Sequence, residues 1–174
     1  MSQGFSPERR PRWAAFIIAG ALIGTLVASS VKSVVLQVVF GVLAEYGLRG
    51  DPTGTDRDLA DLAGNYQRSG GAFEVLVDAE GRIVGSVGLV PLSATTCELR
   101  KMYLASAERG RGQGRRLLSH ALERAKQLGF RRVELETASV LREAIALYVA
   151  YGFRPFVPTH LSPRCDCAYY LELS

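Results

Sequence analysis

Residues 104–118 read LASAERGRGQGRRLL, and no other stretch restricts the fold as severely. Gly110, Gly112 and Gly114 lie among Arg109, Arg111, Gln113 and Arg115. Upstream, CELRKMYL (97–104) is a strand-like run. Downstream, Leu117, Leu118, Ala121, Leu122, Ala125 and Leu128 recur at helical spacing, and Gly129 stands where a helix of about sixteen residues would stop. The segment therefore predicts a strand, a glycine loop and a helix, in that order. Glycine lets the backbone approach a ligand closely, and a helix start presents unpaired N–H groups at the positive end of its dipole. Together these form a cradle for a pyrophosphate.

The spacing sorts the possible cradles. A Walker loop needs Lys followed by Ser or Thr after its last glycine, and here Arg115 and Arg116 follow Gly114. A dinucleotide fingerprint beginning at Gly110 needs a glycine where Arg115 stands. A third pattern, R/Q-x-x-G-x-G/A, is matched by Arg109, Gly112 and Gly114. An arginine–glycine box gripping RNA belongs in low-complexity sequence, whereas this single copy sits between a strand and a helix.

The other elements follow from periodicity. Apolar residues at 34, 35, 38, 39, 42, 43 and 46 share one helical face, with Gly47 as the stop. Residues 54–71, GTDRDLADLAGNYQRSGG, suggest a short helix capped by Thr55, with Asp58 at the capping-box position and Leu59, Leu62 and Tyr66 inward. A hairpin is expected from 73–78 and 82–90 about Ala79-Glu80-Gly81, and Gly85 and Gly88 in its second arm suggest a bulge or a close approach. After the cradle helix come a strand at 132–137, a helix with Leu141, Ala144, Ile145 and Tyr148 inward, and a last strand in CAYYLEL. This order predicts an α+β fold, a mixed and mostly antiparallel sheet with helices on both faces.

With 174 residues and 48 % hydrophobic content, the chain supports one ordinary domain and a small appendage. A net charge of +4 suits an anionic cosubstrate without requiring nucleic acid. Cys97, Cys165 and Cys167 lack zinc-site spacing and read as free thiols of a reducing cytosol, the last two on one strand face. The amino end divides into a basic tail (1–12) and an apolar segment (13–31), ahead of the main domain (32–174). The apolar segment reads as a first strand near Ala15 with a buried connection, or alternatively as a membrane anchor.

Three stretches, ELRKMYL-x4-RGRGQGRRLL, VELETAS and AIALYVAYGF, resemble the GNAT acyltransferase superfamily from about Val34 to the carboxyl end. The resemblance implies a splayed central strand pair that admits the pantetheine arm of acetyl-CoA. It further implies that the backbones of Met102 and Leu104 bind that arm. Amides from Arg109 through Gly110, Arg111, Gly112, Gln113, Gly114 and Arg115 would then hold the pyrophosphate. The Leu104 N–H would steady the thioester oxygen as an oxyanion forms. A chain exporting its domain across a membrane would lose coenzyme A, so the resemblance favours a cytoplasmic protein. Homodimers are common in the family.

Tyr148 occupies the position of the family's usual tyrosine and is expected to protonate the departing thiolate. With free pKa values of about 8.5 for a thiol and about 10 for a phenol, that transfer is uphill by about 2 kcal/mol. An acceptor amine of pKa about 10.4 costs about 4 kcal/mol to neutralise at neutral pH, so a carboxylate base is useful. Glu98, Glu136 and Asp166 are candidates because each lies on or beside an expected strand. His160, Arg164 and Asp166 cluster near the carboxyl end, where Arg164 would suit an acceptor carboxylate, while His120 reads as exposed. The expected activity is N-acetylation of a primary amine, on a small molecule or peptide, by direct attack on acetyl-CoA. The alternative is a non-catalytic acyl-CoA sensor, anchored through residues 13–31.

Overall fold

The computed structural model describes residues 13–18 and 25–174. Its strands are β1 (Trp13–Ile18), β2 (Ala72–Asp78), β3 (Ile83–Pro91), β4 (Thr96–Leu104), β5 (Arg132–Thr137), β6 (Arg154–Pro155) and β7 (Cys167–Glu172). The helices are α1 (Thr25–Glu45), α2 (Gln113–Gln127) and α3 (Arg142–Ala150). One seven-stranded sheet runs β1-β2-β3-β4-β5-β7-β6. Every neighbouring pair is antiparallel except β4 and β5, which are parallel because α2 forms the crossover between them.

Side-chain alternation explains why both faces are covered. Along β2 every residue is buried: Phe73, Val75 and Val77 pack with Val35, Val39 and Leu43 of α1, while Leu76 joins the core formed with α2. That second core also holds Leu117, Leu118 and Ala121 of α2 and Tyr148 of α3. Glu74 faces α2 as well, and a buried carboxylate needs partners. His120 bonds to it and Arg124 Nε lies 3.4 Å away, so His120 is a partner of the sheet rather than an idle surface residue.

The sequence-based limits hold for the hairpin, the strands on either side of the cradle helix, that helix and the last strand, and shift at α1. α1 begins at Thr25, nine residues before the amphipathic stripe starts at Val34. Residues 19–24, within the apolar segment, and the basic tail lie outside the described residues. No helix among the described residues is long and apolar enough to cross a membrane.

Residues 54–71 do not form the expected capped helix. A 3-10 turn spans Arg57–Ala60 and a π turn spans Ala63–Gln67, with no side-chain cap on either. The Asp51 carboxylate accepts the amides of Gly54 and Thr55, each at 2.9 Å, and thereby builds a loop where a helix would start. Tyr66 still turns inward, and a Cβ on Gly88 would lie 2.3 Å from its ring, so the glycine reflects a close approach. The two-residue strand β6 carries no sequence signal, and Cys165 precedes β7 rather than sharing a strand face with Cys167.

Candidate active site

Two irregularities in the middle of the sheet open a cavity. The β4–β5 pairing ends at Glu98↔Glu134, although β4 continues to Leu104 and β5 to Thr137. The strands therefore splay as anticipated. On its other edge β4 bulges, because Ser86 pairs with Tyr103 while Gly88 pairs with Arg100. Val87 thus faces two residues, Lys101 and Met102. Lys101 takes a φ of 53°, the positive value of a non-glycine residue among those described.

Buried charge holds that backbone in place. The Lys101 ammonium lies 2.8 Å from Asp56 Oδ1 and 3.2 Å from Asp58 Oδ1, and it donates to the Thr55 carbonyl at 2.9 Å. Asp56 also accepts both Arg164 guanidinium nitrogens at 2.8 Å and the Asp51 amide at 2.9 Å. Burial alone would raise the Asp56 carboxyl, but these donors hold it far below the usual carboxylate range. Arg164 is thus committed to Asp56 and is not the free acceptor-carboxylate ligand that its sequence position suggested. Nothing periodic in the sequence signals the pairing of Lys101 with Asp56, since 45 positions separate them.

The cavity beneath the splay has a volume of about 460 Å³. Met102, Leu104, Glu98, Glu136 and Tyr148 line it, together with Arg109, Gly110 and Gly114 from the loop. Arg111, Gly112, Gln113 and Arg115 belong to the same loop and helix start but lie off its wall. Ala105 donates to the Val84 carbonyl on β3, so strand alternation turns the Leu104 amide the opposite way, toward the gap.

The loop has the features of an anion cradle. Gly110 and Gly112 adopt φ values of 71° and 77°, a left-handed conformation that glycine accepts without strain. Gly112 precedes α2, and the first bond of that helix runs from the Arg116 amide to the Gly112 carbonyl. The amides of Gln113, Gly114 and Arg115 are left without intrahelical partners. The Arg109 side chain is half-buried. Its Nε donates to the Leu104 carbonyl at 2.9 Å and its Nη1 to Glu45 of α1 at 2.5 Å. Its Nη2 is buried without a hydrogen-bond partner among the described residues.

Tyr148 is buried, and its ring packs 5.7 Å from Phe153. Its hydroxyl contacts the Met102 sulfur at 4.0 Å, a weak acceptor. Burial pushes this phenol well above its ordinary value. Tyr103, unremarked in the sequence, also lines the cavity, and burial pushes it up to about 12. Burial raises Glu98 too, against the opposing pull of Arg100, and the charge of Glu136 adds to the rise. Glu136 accepts the Ser162 amide at 2.9 Å. Asp166 instead accepts the Ser139 amide and hydroxyl, both at 2.6 Å, outside the cavity wall. These bonds remove it from the candidate bases. Burial pushes Cys165 up to about 11 and Cys97 up to about 12, so neither thiol supplies a ready thiolate.

Comparison with known proteins follows the same lines. The acetyltransferase (GNAT) family model matches residues 38–153. An uncharacterised N-acetyltransferase of Escherichia coli K12, YjgM, is 43 % identical over 143 residues, spanning 79 % of this chain and 82 % of that protein. Among solved structures, a GNAT-family acetyltransferase from Staphylococcus aureus Mu50 superposes with a TM-score of 0.77 at 23 % identity, covering 92 % of this chain and 99 % of the other. The phosphinothricin acetyltransferase of Sinorhizobium meliloti, solved with acetyl-CoA, gives a TM-score of 0.65 at 20 % identity over 91 % and 88 % of the two chains.

Proposed function

Because the chain belongs to the GNAT acetyltransferase family and is an acyltransferase, we propose that it moves an acetyl group from acetyl-CoA to a primary amine by direct attack. The observation that carries this reading is the β4–β5 gap, with a helix start at its end whose first amides lack intrahelical partners and Tyr148 beside it. Amides of the loop from Gly110 to Arg115 hold the pyrophosphate, as the left-handed Gly110 and Gly112 and the free start of α2 allow, whereas the Arg109 amide expected to join them donates to the Ser106 carbonyl at 3.1 Å. Met102 and Leu104 bind the pantetheine arm along the open edge of β4.

The amine nitrogen attacks the thioester carbonyl carbon, the new C–N bond forms, and the C–S bond breaks. The Leu104 amide faces the gap and steadies the oxygen as its charge grows. Glu98 takes the proton released by the amine, directly or through a water. Its raised pKa makes it a better base than an ordinary carboxylate. Glu136 lines the same wall and accepts the Ser162 amide. Tyr148 hydrogen-bonds the departing thiolate and then protonates it. Its raised pKa makes full transfer costlier than the unperturbed values imply, so the strengthening hydrogen bond carries most of the effect. A covalent acetyl-enzyme is not required, in keeping with thiols that resist ionisation.

The test is calorimetric titration with acetyl-CoA, followed by mass detection of the acetyl increment on a panel of amines. Binding with turnover is the expected outcome. Binding without acetylation of any amine would favour the non-catalytic sensor, and no binding would remove both readings.

A further inference from the structure

A second cavity, of about 490 Å³, adjoins the first, and Thr55, Arg100 and Ser162 line both. Asp51, Arg57, Asp58 and His160 also belong to its wall. The two acids are already committed. Asp51 accepts the amides of Gly54 and Thr55, while Asp58 accepts the Tyr66 hydroxyl and lies 3.2 Å from Lys101 Nζ and 3.5 Å from Arg100 Nη1. Arg100 is shared between Asp58 and Glu98, whose Oε1 is 3.6 Å from its Nε. Arg57 and His160 differ from all of these. Both are exposed, and neither side chain has a hydrogen bond or ion pair among the described residues.

The joined cavities are therefore polarised. Glu98 and Glu136 line the first, beside the gap, whereas the uncommitted donors of the second are a guanidinium and an imidazole. If the gap and loop take acetyl-CoA, the acceptor approaches from the other side, through this second cavity. We propose that the acceptor is an amine that also carries a carboxylate, held by Arg57 and His160 while the amine reaches Glu98. One planar guanidinium fork and one imidazole match a single carboxylate group. Arg164, the residue the sequence offered for this task, is neutralised by Asp56. This inference rests on the acetyltransferase reading above, and the chemistry is the same: C–N forms, C–S breaks, and one proton passes to Glu98.

The experiment uses the full chain and matched acceptors, phenylalanine with phenethylamine and methionine with its decarboxylated amine, after acetyl-CoA binding has been measured separately. The carboxylate-bearing member of each pair is expected to be acetylated with kcat/KM at least about tenfold higher, as suits a charge-assisted contact. In the double variant Arg57→Gln with His160→Gln, that ratio falls toward one through KM. Because the readout is a ratio within one protein, partial misfolding does not imitate the result. A ratio near one in the parent, a ratio that survives the double variant, or acetyl-CoA binding without acetylation of either acid overturns this inference alone. Failure to bind acetyl-CoA overturns the acetyltransferase reading with it.

Discussion

The Tyr148 hydroxyl lies 4.0 Å from the Met102 sulfur, α3 supplying one and the open edge of β4 the other. A thioether is a poor acceptor, so among the described residues the phenol holds no strong hydrogen bond and remains available to a sulfur leaving group. Replacing Tyr148 by Phe removes the donor while keeping the ring against Phe153. Turnover should fall about 10²-fold or more, with acetyl-CoA affinity nearly unchanged. Steady-state kinetics beside calorimetry checks this, and equal turnover would mark the tyrosine as structural.

Gly112 has a φ of 77° at the start of α2, where a side chain is strained and an acidic one would meet the incoming phosphates. Gly112→Glu should abolish detectable acetyl-CoA binding by calorimetry. Circular dichroism should still report a folded protein, because a Cβ at this position has open space around it.

Glu98 is expected to set the acid limb of the reaction. It works as a base only when ionised, and burial raises its pKa, so activity should be lost as pH falls through a value above the ordinary Glu figure of about 4.3. Glu98→Gln should lower kcat/KM and erase that limb from the pH profile. Should the limb persist in the variant, another group is the base.

Asp56 is 1 % exposed and balances two cations, the buried Lys101 and the half-buried Arg164. Asp56→Ala would leave Arg164 without its carboxylate and Lys101 with Asp58 alone, at a cost of about 3–5 kcal/mol in denaturant unfolding. The sign of its pH dependence follows from a depressed folded pKa. The stabilisation is complete above the unfolded value of about 3.9 and is lost as the pH falls below it. Acid unfolding of the parent should steepen in that window, and the variant should show a shallower dependence there.

The loop from Arg109 to Arg115, the helix after it, the flanking strands and Tyr148 were legible in the chain alone, because each is specified by short-range pattern. Glycine allows left-handed turns, a period of 3.6 marks a buried helix stripe, and alternation marks a half-buried strand. The same logic failed at Thr55, where the Asp51 carboxylate captures the amides a helix would use and Asp56 is drawn inward by Lys101 and Arg164. It failed also at Arg164 and Asp166, whose functional groups are occupied by Asp56 and Ser139. Such pairings join residues up to 108 positions apart, and no local propensity encodes them. Sequence by itself determined most of the elements, their order and the glycine loop before α2, since these depend on near neighbours. Only the tertiary structure decided how far β4 and β5 diverge, which charges cancel, and that Arg57 and His160 are left uncommitted among the described residues, because burial and ion pairing exist only once distant segments meet.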